Sequence, residues 1–216
     1  MHLKRQEVPK KWPIKRKGSV YVVRPSSNLR NGMPLMIVLR DLLNMAQNRR
    51  EVKRALHVKD IFINGRFPKD EKQAVLLFDV VTVKPMNKSY IVNLSKNGKF
   101  EMSQIKDSES HKKVAKVVDK KTLRGKRLQI NLSDGNNFIS DRKECKINDS
   151  AVVNFKDKKI EKYLPLKEKS PVIIFDGKHA GERGIVTKIV EEHKVAELDV
   201  DGKKVSVLIK QIMVLE

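Results

Sequence analysis

From Pro34 onward apolar residues recur at helical spacing: Leu35, Val38, Leu39, Leu42, Leu43 and Ala46 fall at i, i+3, i+4, i+7, i+8 and i+11. This stripe predicts an amphipathic core helix over 34–46, with Pro34 suited to its first turn. Asn48 followed by Glu51 matches a capping box for a second, shorter helix, in which Val52, Ala55 and Leu56 face inward and Arg50, Lys53 and Arg54 share the opposite face. Ile61, Phe62 and Ile63 then run into Asn64-Gly65 and Arg66-Phe67, a strong hairpin signal. Two helices and a hairpin, completed by a strand over 79–83, make one small module.

From about residue 86 the period is two. Residues 90–94 and 99–102 flank Asn97-Gly98, and Leu128, Ile130 and Leu132 alternate before Asp134-Gly135 and Phe138-Ile139. Residues 165–171 read as a linker. Four short strands follow over 172–175, 184–190, 195–200 and 205–209, the last pair joined at Asp201-Gly202, and a small SH3-like barrel uses them all. The predicted class is α+β, divided into 1–32 (an extended basic arm), 33–85 (the helix-helix-hairpin module), 86–165 (a central β domain) and 166–216 (the barrel).

The first thirty residues build no core of their own in this reading. Lys4, Arg5, Lys10, Lys11, Lys15, Arg16, Lys17, Arg24 and Arg30 face one acid, Glu7, while Pro9, Pro13 and Pro25 interrupt any helix. Trp12, the only tryptophan, either stacks on a nucleic-acid base from within this basic run or anchors the arm to the body. A second basic run, Lys112, Lys113, Lys116, Lys120, Lys121, Arg124, Lys126 and Arg127, is broken by Val114, Val117 and Val118, and a solvated strand face accounts for it as readily as a binding surface does.

Over the whole chain of 216 residues, 47 Lys and Arg oppose 26 Asp and Glu, a net charge of +21 on a sequence patterned like a folded protein. A compact chain with that much like charge repels itself, and a phosphate backbone is its natural complement. With 39% hydrophobic but only 5% aromatic residues, and a mean hydropathy of −0.49, several small modules fit better than one thick domain. The single cysteine, Cys145, excludes an internal disulfide framework and a multi-cysteine zinc site, which suits a reducing, cytoplasmic compartment. No apolar run reaches the length of a membrane span, and the N-terminus lacks a secretory apolar core.

Residues 176–184 (Asp-Gly-Lys-His-Ala-Gly-Glu-Arg-Gly) hold three glycines that permit a tight strand connection, with Lys178, His179 and Arg183 at its tip. The segment lacks the Lys-Ser/Thr pair of a phosphate-binding loop. His2, His57, His111, His179 and His193 have no metal-ligand spacing, and neither a serine elbow nor a nucleophilic cysteine context is present. No catalytic residue, cofactor, metal or small-molecule substrate is nominated.

Longer stretches resemble a known family. His2-Leu3-Lys4-Arg5 with Pro9-Lys10 and Trp12, then Arg24-Pro25-Ser26, then Pro34-Leu35 leading to Leu39-Arg40 and Leu42, are similar to the N-terminal third of the archaeal and eukaryotic small-subunit ribosomal protein family S-four-e. Ile63-Asn64-Gly65, Phe78-Asp79-Val80, Asn97-Gly98-Lys99-Phe100 and Lys146-Ile147-Asn148-Asp149 follow in family order, and Gly177, Gly181 and Gly184 with Ile185-Val186 resemble its KOW element. The resemblance implies an S-four-type RNA-binding domain, a central β domain and a KOW barrel, bound to small-subunit ribosomal RNA beside neighbouring ribosomal proteins. The chain departs from the family where Ser27 to Gly32 replace a Gly-Pro-His stretch. It also stops at Glu216 without the basic tail of eukaryotic members, which points to an archaeal source.

The expected function is therefore a non-enzymatic structural constituent of the small ribosomal subunit. Its RNA contacts are expected from Lys4, Arg5, Lys10, Lys11, Trp12, Lys15, Arg16, Lys17 and Arg24 in the arm, from Arg40, Arg49, Arg50, Lys53, Arg54 and Arg66 in the helical module, and from Lys178, His179 and Arg183 in the barrel. Two alternatives stand beside it: an RNA-modifying enzyme of the pseudouridine synthase type, and a KOW-containing transcription elongation factor.

Overall fold

The computed structural model describes residues 2–140, 145–190 and 193–215, with the side chain of Lys126 left out; Glu216 lies outside the described residues. The chain divides into two compact units, Met1–Ser95 with Lys99–His111, and Lys96–Gly98 with Lys112–Glu216. The first mixes helices with strands, and the second is built of strands and two 3₁₀ turns among the described residues.

In the N-terminal unit, β1 (Leu3–Lys4) pairs antiparallel with β2 (Tyr21–Val22) and closes the first residues into a loop. The expected extended arm is thus folded back. Arg5 clasps the loop, donating from Nε to Ser19 O at 2.7 Å, from Nη1 to Lys15 O at 2.7 Å and from Nη2 to Ser19 Oγ at 2.9 Å. Trp12 is the anchor: it is 2% exposed, and its indole Nε1–H donates to Gly32 O at 3.0 Å. Between β1 and β2 the segment forms only a 3₁₀ turn over Arg5–Glu7, and the apolar side chains of Leu3 and Trp12 are buried.

β3 (Gly32–Pro34) leads into α1 (Leu35–Ile37), which widens directly into a π-helical turn over Val38–Leu42. The helix expected to reach residue 46 ends at Leu42. Leu43 N–H donates to Val38 O at 3.0 Å, Met45 N–H reaches back to Leu39 O at 2.9 Å, and Asn44 takes the left-handed conformation that closes helices. Five consecutive residues, Leu35 to Leu39, are buried, so this short helix is apolar on every side and its stripe does not separate core from solvent. Its first amides are satisfied by backbone: Leu35 N–H donates to Gln73 O and Met36 N–H to Glu71 O, each at 2.9 Å.

α2 (Arg49–His57) begins at the predicted cap. Asn48 Oδ1 accepts from the amides of Arg50 and Glu51 at 2.9 and 3.1 Å, while Glu51 accepts from the Gln47 amide at 2.7 Å, one residue before the partner of a standard capping box. Beyond it, β4 (Ile61–Ile63) turns at Asn64-Gly65, both with positive φ as a type I′ turn requires. The turn joins a single bridge, Ile63 to Arg66. β5 (Ala74–Leu76) pairs with β3, and β4 finds its long-range partner in β6 (Val80–Val83), which continues through β7 (Lys88–Leu94) to β8 (Phe100–Ile105) in a four-stranded antiparallel sheet.

The C-terminal unit stacks two five-stranded sheets. The first has order β11-β10-β9-β12-β13, from β9 (Lys112–Thr122), β10 (Leu128–Leu132), β11 (Asn137–Ser140), β12 (Ser150–Asn154) and β13 (Lys159–Leu164). The second has order β17-β16-β15-β14-β18, from β14 (Pro171–Ile174), β15 (Arg183–Val190), β16 (Val195–Val200), β17 (Lys203–Leu208) and β18 (Ile212–Val214). Alternate residues of β9 and β12 serve two cores: Val114 and Val152 pack with Ile174, Val186, Leu198 and Ile212, whereas Ala115, Val117, Ala151 and Val153 pack with Ile130, Leu132 and Cys145. β18 is a strand the periodicity did not predict, because three residues after a 3₁₀ turn carry too little pattern.

Burial on both faces overturns the solvated-face reading for part of the second basic run. Lys113 lies inside with its ammonium 3.2 Å from Asp134. Lys116, 3% exposed, donates its Nζ hydrogens to Ile209 O and, at 2.8 Å, to Ile212 O, tying the first sheet to the entry of β18. The Ser150 hydroxyl accepts from the Val214 amide at 2.9 Å beside this link. Burial pushes the Lys116 ammonium down to about 8.

Two outcomes follow. Trp12→Ala should lower unfolding stability by about 3–5 kcal/mol in urea titrations, because a packed indole and its hydrogen bond are both lost. For Lys116, the unfolded chain holds a proton that the folded chain sheds between about pH 8 and the ordinary lysine value of 10.5, so stability rises with pH across that window. Comparing wild type with Lys116→Met isolates this slope, and parallel curves would contradict it.

Candidate nucleic-acid interface

The loop between β1 and β2 displays Lys10, Lys15, Arg16 and Lys17 exposed, with Lys4 exposed on β1 and Lys11 and Arg24 half-buried. Two of the candidates here serve the fold. The Arg5 guanidinium is occupied by Ser19 and Lys15, and Trp12 turns inward. Gly18 lies beside Arg5 with a φ of 142°, a conformation that side chains rarely adopt, and a Cβ there would stand 3.2 Å from the guanidinium, which would have to shift slightly.

On α2, Arg50, Lys53 and Arg54 are exposed and lie at i, i+3 and i+4, one face of one helix. The only acid in its first turn, Glu51, turns its carboxylate toward the cap at Gln47 and Asn48. Arg49 and Arg40 are differently placed. Arg40 forms a two-point contact with Asp41, 3.0 Å from Nε to Oδ1 and 2.8 Å from Nη2 to Oδ2, which raises its pKa chiefly through that hydrogen bond. Arg49 donates from Nε at 2.8 Å and from Nη2 to Glu71 Oε1.

Glu71 is 1% exposed, and burial alone would push its carboxyl up; a proton shared with Asp70, whose own carboxyl is pushed up by the same contact, and the hydrogen bonds from Arg49 outweigh this and hold it at about 2. Arg66 is exposed at the Asn64-Gly65 turn. At the same corner Lys59 stands over the Phe67 ring at 5.4 Å. Sequence reasoning singled out neither residue for binding, since a lysine after a helix and a phenylalanine after a turn are ordinary in isolation.

In the second sheet of the C-terminal unit, the glycine-bearing connection between β14 and β15 is built by close approach. A Cβ on Gly184 would sit 2.5 Å from Asp199 O, so no other residue fits there without backbone movement. Gly181, at φ 96°, donates its amide to Ile174 O at 2.7 Å and tightens the turn. Lys178 is exposed within the connection and Arg183 is exposed at the first position of β15, opposite Ile173, whereas His179 is half-buried with Nδ1 3.0 Å from Glu182 Oε2. The exposed candidates thus fall on three elements: the loop between β1 and β2 with Lys4 before it, α2 with the turn that follows β4, and the connection between β14 and β15 with the first residue of β15. Among the described residues no group of His, Cys, Asp and Glu could hold a metal ion, and no helix is long and apolar enough to cross a membrane.

Arg49→Ala strands a buried carboxylate, and it should destabilise the protein by about 1.5–3 kcal/mol by chemical denaturation. Arg50→Ala, which removes an exposed side chain, should change stability by less than about 0.5 kcal/mol in the same assay.

Comparison with known proteins bears on these surfaces. A family model described as Ribosomal family S4e matches residues 86–160, and the RS4NT domain model matches residues 1–27. The small ribosomal subunit protein eS4 of Methanocella arvoryzae is 37% identical over 191 residues, covering 87% of this chain and 80% of the relative. That of Archaeoglobus fulgidus is 34% identical over 208 residues, covering 94% and 87%. The crystal structure of the 30S ribosomal protein S4e from Thermoplasma acidophilum superposes with a TM-score of 0.74 at 24% identity, over 86% of this chain and 95% of that one, which shows a shared fold.

Proposed function

Because the chain belongs to the S4e family of small ribosomal subunit proteins, we propose that it holds ribosomal RNA mainly through backbone phosphates, with RNA shape rather than base sequence selecting the site. The protein is a structural constituent of the small ribosomal subunit. In the fuller reading it works in the cytoplasm beside neighbouring ribosomal proteins and catalyses nothing. Residues 33–85 act as the S-four-type RNA-binding domain and 166–216 as the KOW barrel. The relatives named above carry neither a pseudouridine synthase nor an elongation-factor name, and those two alternatives gain no support.

One observation carries the phosphate reading: cations are displayed on folded supports while adjacent acids are engaged in contacts within the protein. Glu51 is spent in a helix cap, Glu71 on Arg49 and Asp41 on Arg40, which leaves Arg50, Lys53, Arg54 and Arg66 as an exposed cationic set. Lys10, Lys15, Arg16 and Lys17 sit on a loop already closed by Arg5, so little conformational freedom is lost on docking. Lys178 and Arg183 offer a third contact. Trp12 works as the loop's anchor instead of stacking on a base.

If about eight phosphates are neutralised, log affinity for ribosomal RNA should fall against log salt with a slope of about −6 to −7. The combined variant Arg50→Ala, Lys53→Ala, Arg54→Ala should make that slope shallower by about 2 to 3. A wild-type affinity indifferent to salt, or a variant with the parental slope, would refute the phosphate mode.

A further inference from the structure

Two phenylalanines meet where the chain leaves α2 and turns beyond β4. Phe62 lies in β4 and Phe67 just past the Asn64-Gly65 turn, with ring centroids 4.4 Å apart and planes tilted by 37°. Phe62 is half-buried, but Phe67 is 49% exposed. A single exposed ring is common on protein surfaces and needs no explanation by itself. Three further observations set this one apart.

Its backbone is held on both sides. Ile63 and Arg66 exchange N–H···O bonds of 2.9 Å just before it, and Pro68 just after it keeps residue 67 out of the helical region. Its ring is backed by a second ring, which is stiffer than an aliphatic chain. Its stretch of sequence is strongly cationic: over 49–69, Arg49, Arg50, Lys53, Arg54, Lys59, Arg66 and Lys69 stand against Glu51 and Asp60, and Glu51 is engaged by the cap.

We propose that Phe67, backed by Phe62 and flanked by Lys59 and Arg66, is a stacking platform for one unpaired RNA base. The proposal rests on the RNA-binding reading above and names the kind of nucleotide this corner takes. A nucleobase offers a flat π-face to the ring whatever its identity, and its own phosphates supply the anions that Lys59 and Arg66 require. The Lys59 ammonium, 5.4 Å from the centroid, lies toward the outer limit of the ~6 Å cation–π range, so an arriving base displaces it toward a phosphate at little loss. A neighbouring protein fits less well, because an apolar partner would desolvate these cations without matching acids. A fully paired helix keeps its bases stacked within itself, so the platform favours loops, bulges and ends.

The full-length protein can be titrated with a short oligouridine and with a blunt, fully paired RNA duplex carrying the same number of phosphates. Phe67→Ala should weaken oligouridine binding about five- to one-hundred-and-fiftyfold while leaving duplex affinity and both salt slopes unchanged. Phe67→Trp should retain the affinity, and its added indole, unlike the buried Trp12, should be quenched on binding. Equal affinity of Phe67→Ala and wild type for oligouridine overturns the proposal, as does an equal loss on both probes. Intact RNA affinity with impaired incorporation into small subunits overturns it in favour of a protein neighbour. Failure of the wild type to bind either RNA would instead bring down the phosphate reading on which the platform rests.

Discussion

Mutual repulsion among forty-seven Lys and Arg side chains is the constraint against which every core of this protein is built. The cores are accordingly thin and made of short apolar runs: Leu35 to Leu39 in one unit, and the valines and isoleucines of β9, β12 and the second sheet in the other. Where a cation does enter, it is given oxygen. Lys116 meets two backbone carbonyls, and Lys113 stands beside Asp134. An ammonium in such a place raises the cost of folding through desolvation, yet it also donates to the buried Ile212 carbonyl and adds a second donor at Ile209 O, which already accepts from the Ile212 amide.

The same constraint shapes the surface. Acids that could cancel the positive field are drawn into structural tasks: Glu51 caps α2, Glu71 accepts from Arg49, and Asp41 receives Arg40. The remaining cations stand out as an uncompensated set on elements whose backbones are already ordered. The loop closed by Arg5 is the clearest case, because a basic segment rich in proline would ordinarily fold only against its partner. Here Leu3 and Trp12 supply the apolar burial and Arg5 the polar closure, so the ordering cost falls on folding rather than on association.

Arginines of similar appearance in the sequence therefore do different work. Arg49 and Arg50 are adjacent, yet the first holds a buried carboxylate and the second projects from the helix beside Lys53 and Arg54. Arg5 and Arg16 differ in the same way. No local pattern separates them, since the distinction depends on Glu71, twenty-two residues from Arg49, and on carbonyls at 15 and 19 for Arg5.

By itself the amino-acid order determined what is settled within a few residues: the turns at Asn97-Gly98, Asp134-Gly135 and Asp201-Gly202, the Asn48 cap, the strand alternation at 128–132, and the charge that calls for a polyanion. These rest on backbone preferences and on contacts between near neighbours. Tertiary structure alone decided that the first helix stops at Leu42 with a wide turn, that β4 pairs with β6 across an intervening segment, that residues 212–214 form a strand, and that Trp12, Lys113 and Lys116 point inward. Each of those outcomes depends on which distant element covers a given face. Burial and long-range pairing are properties of two segments together, and neither segment encodes the other.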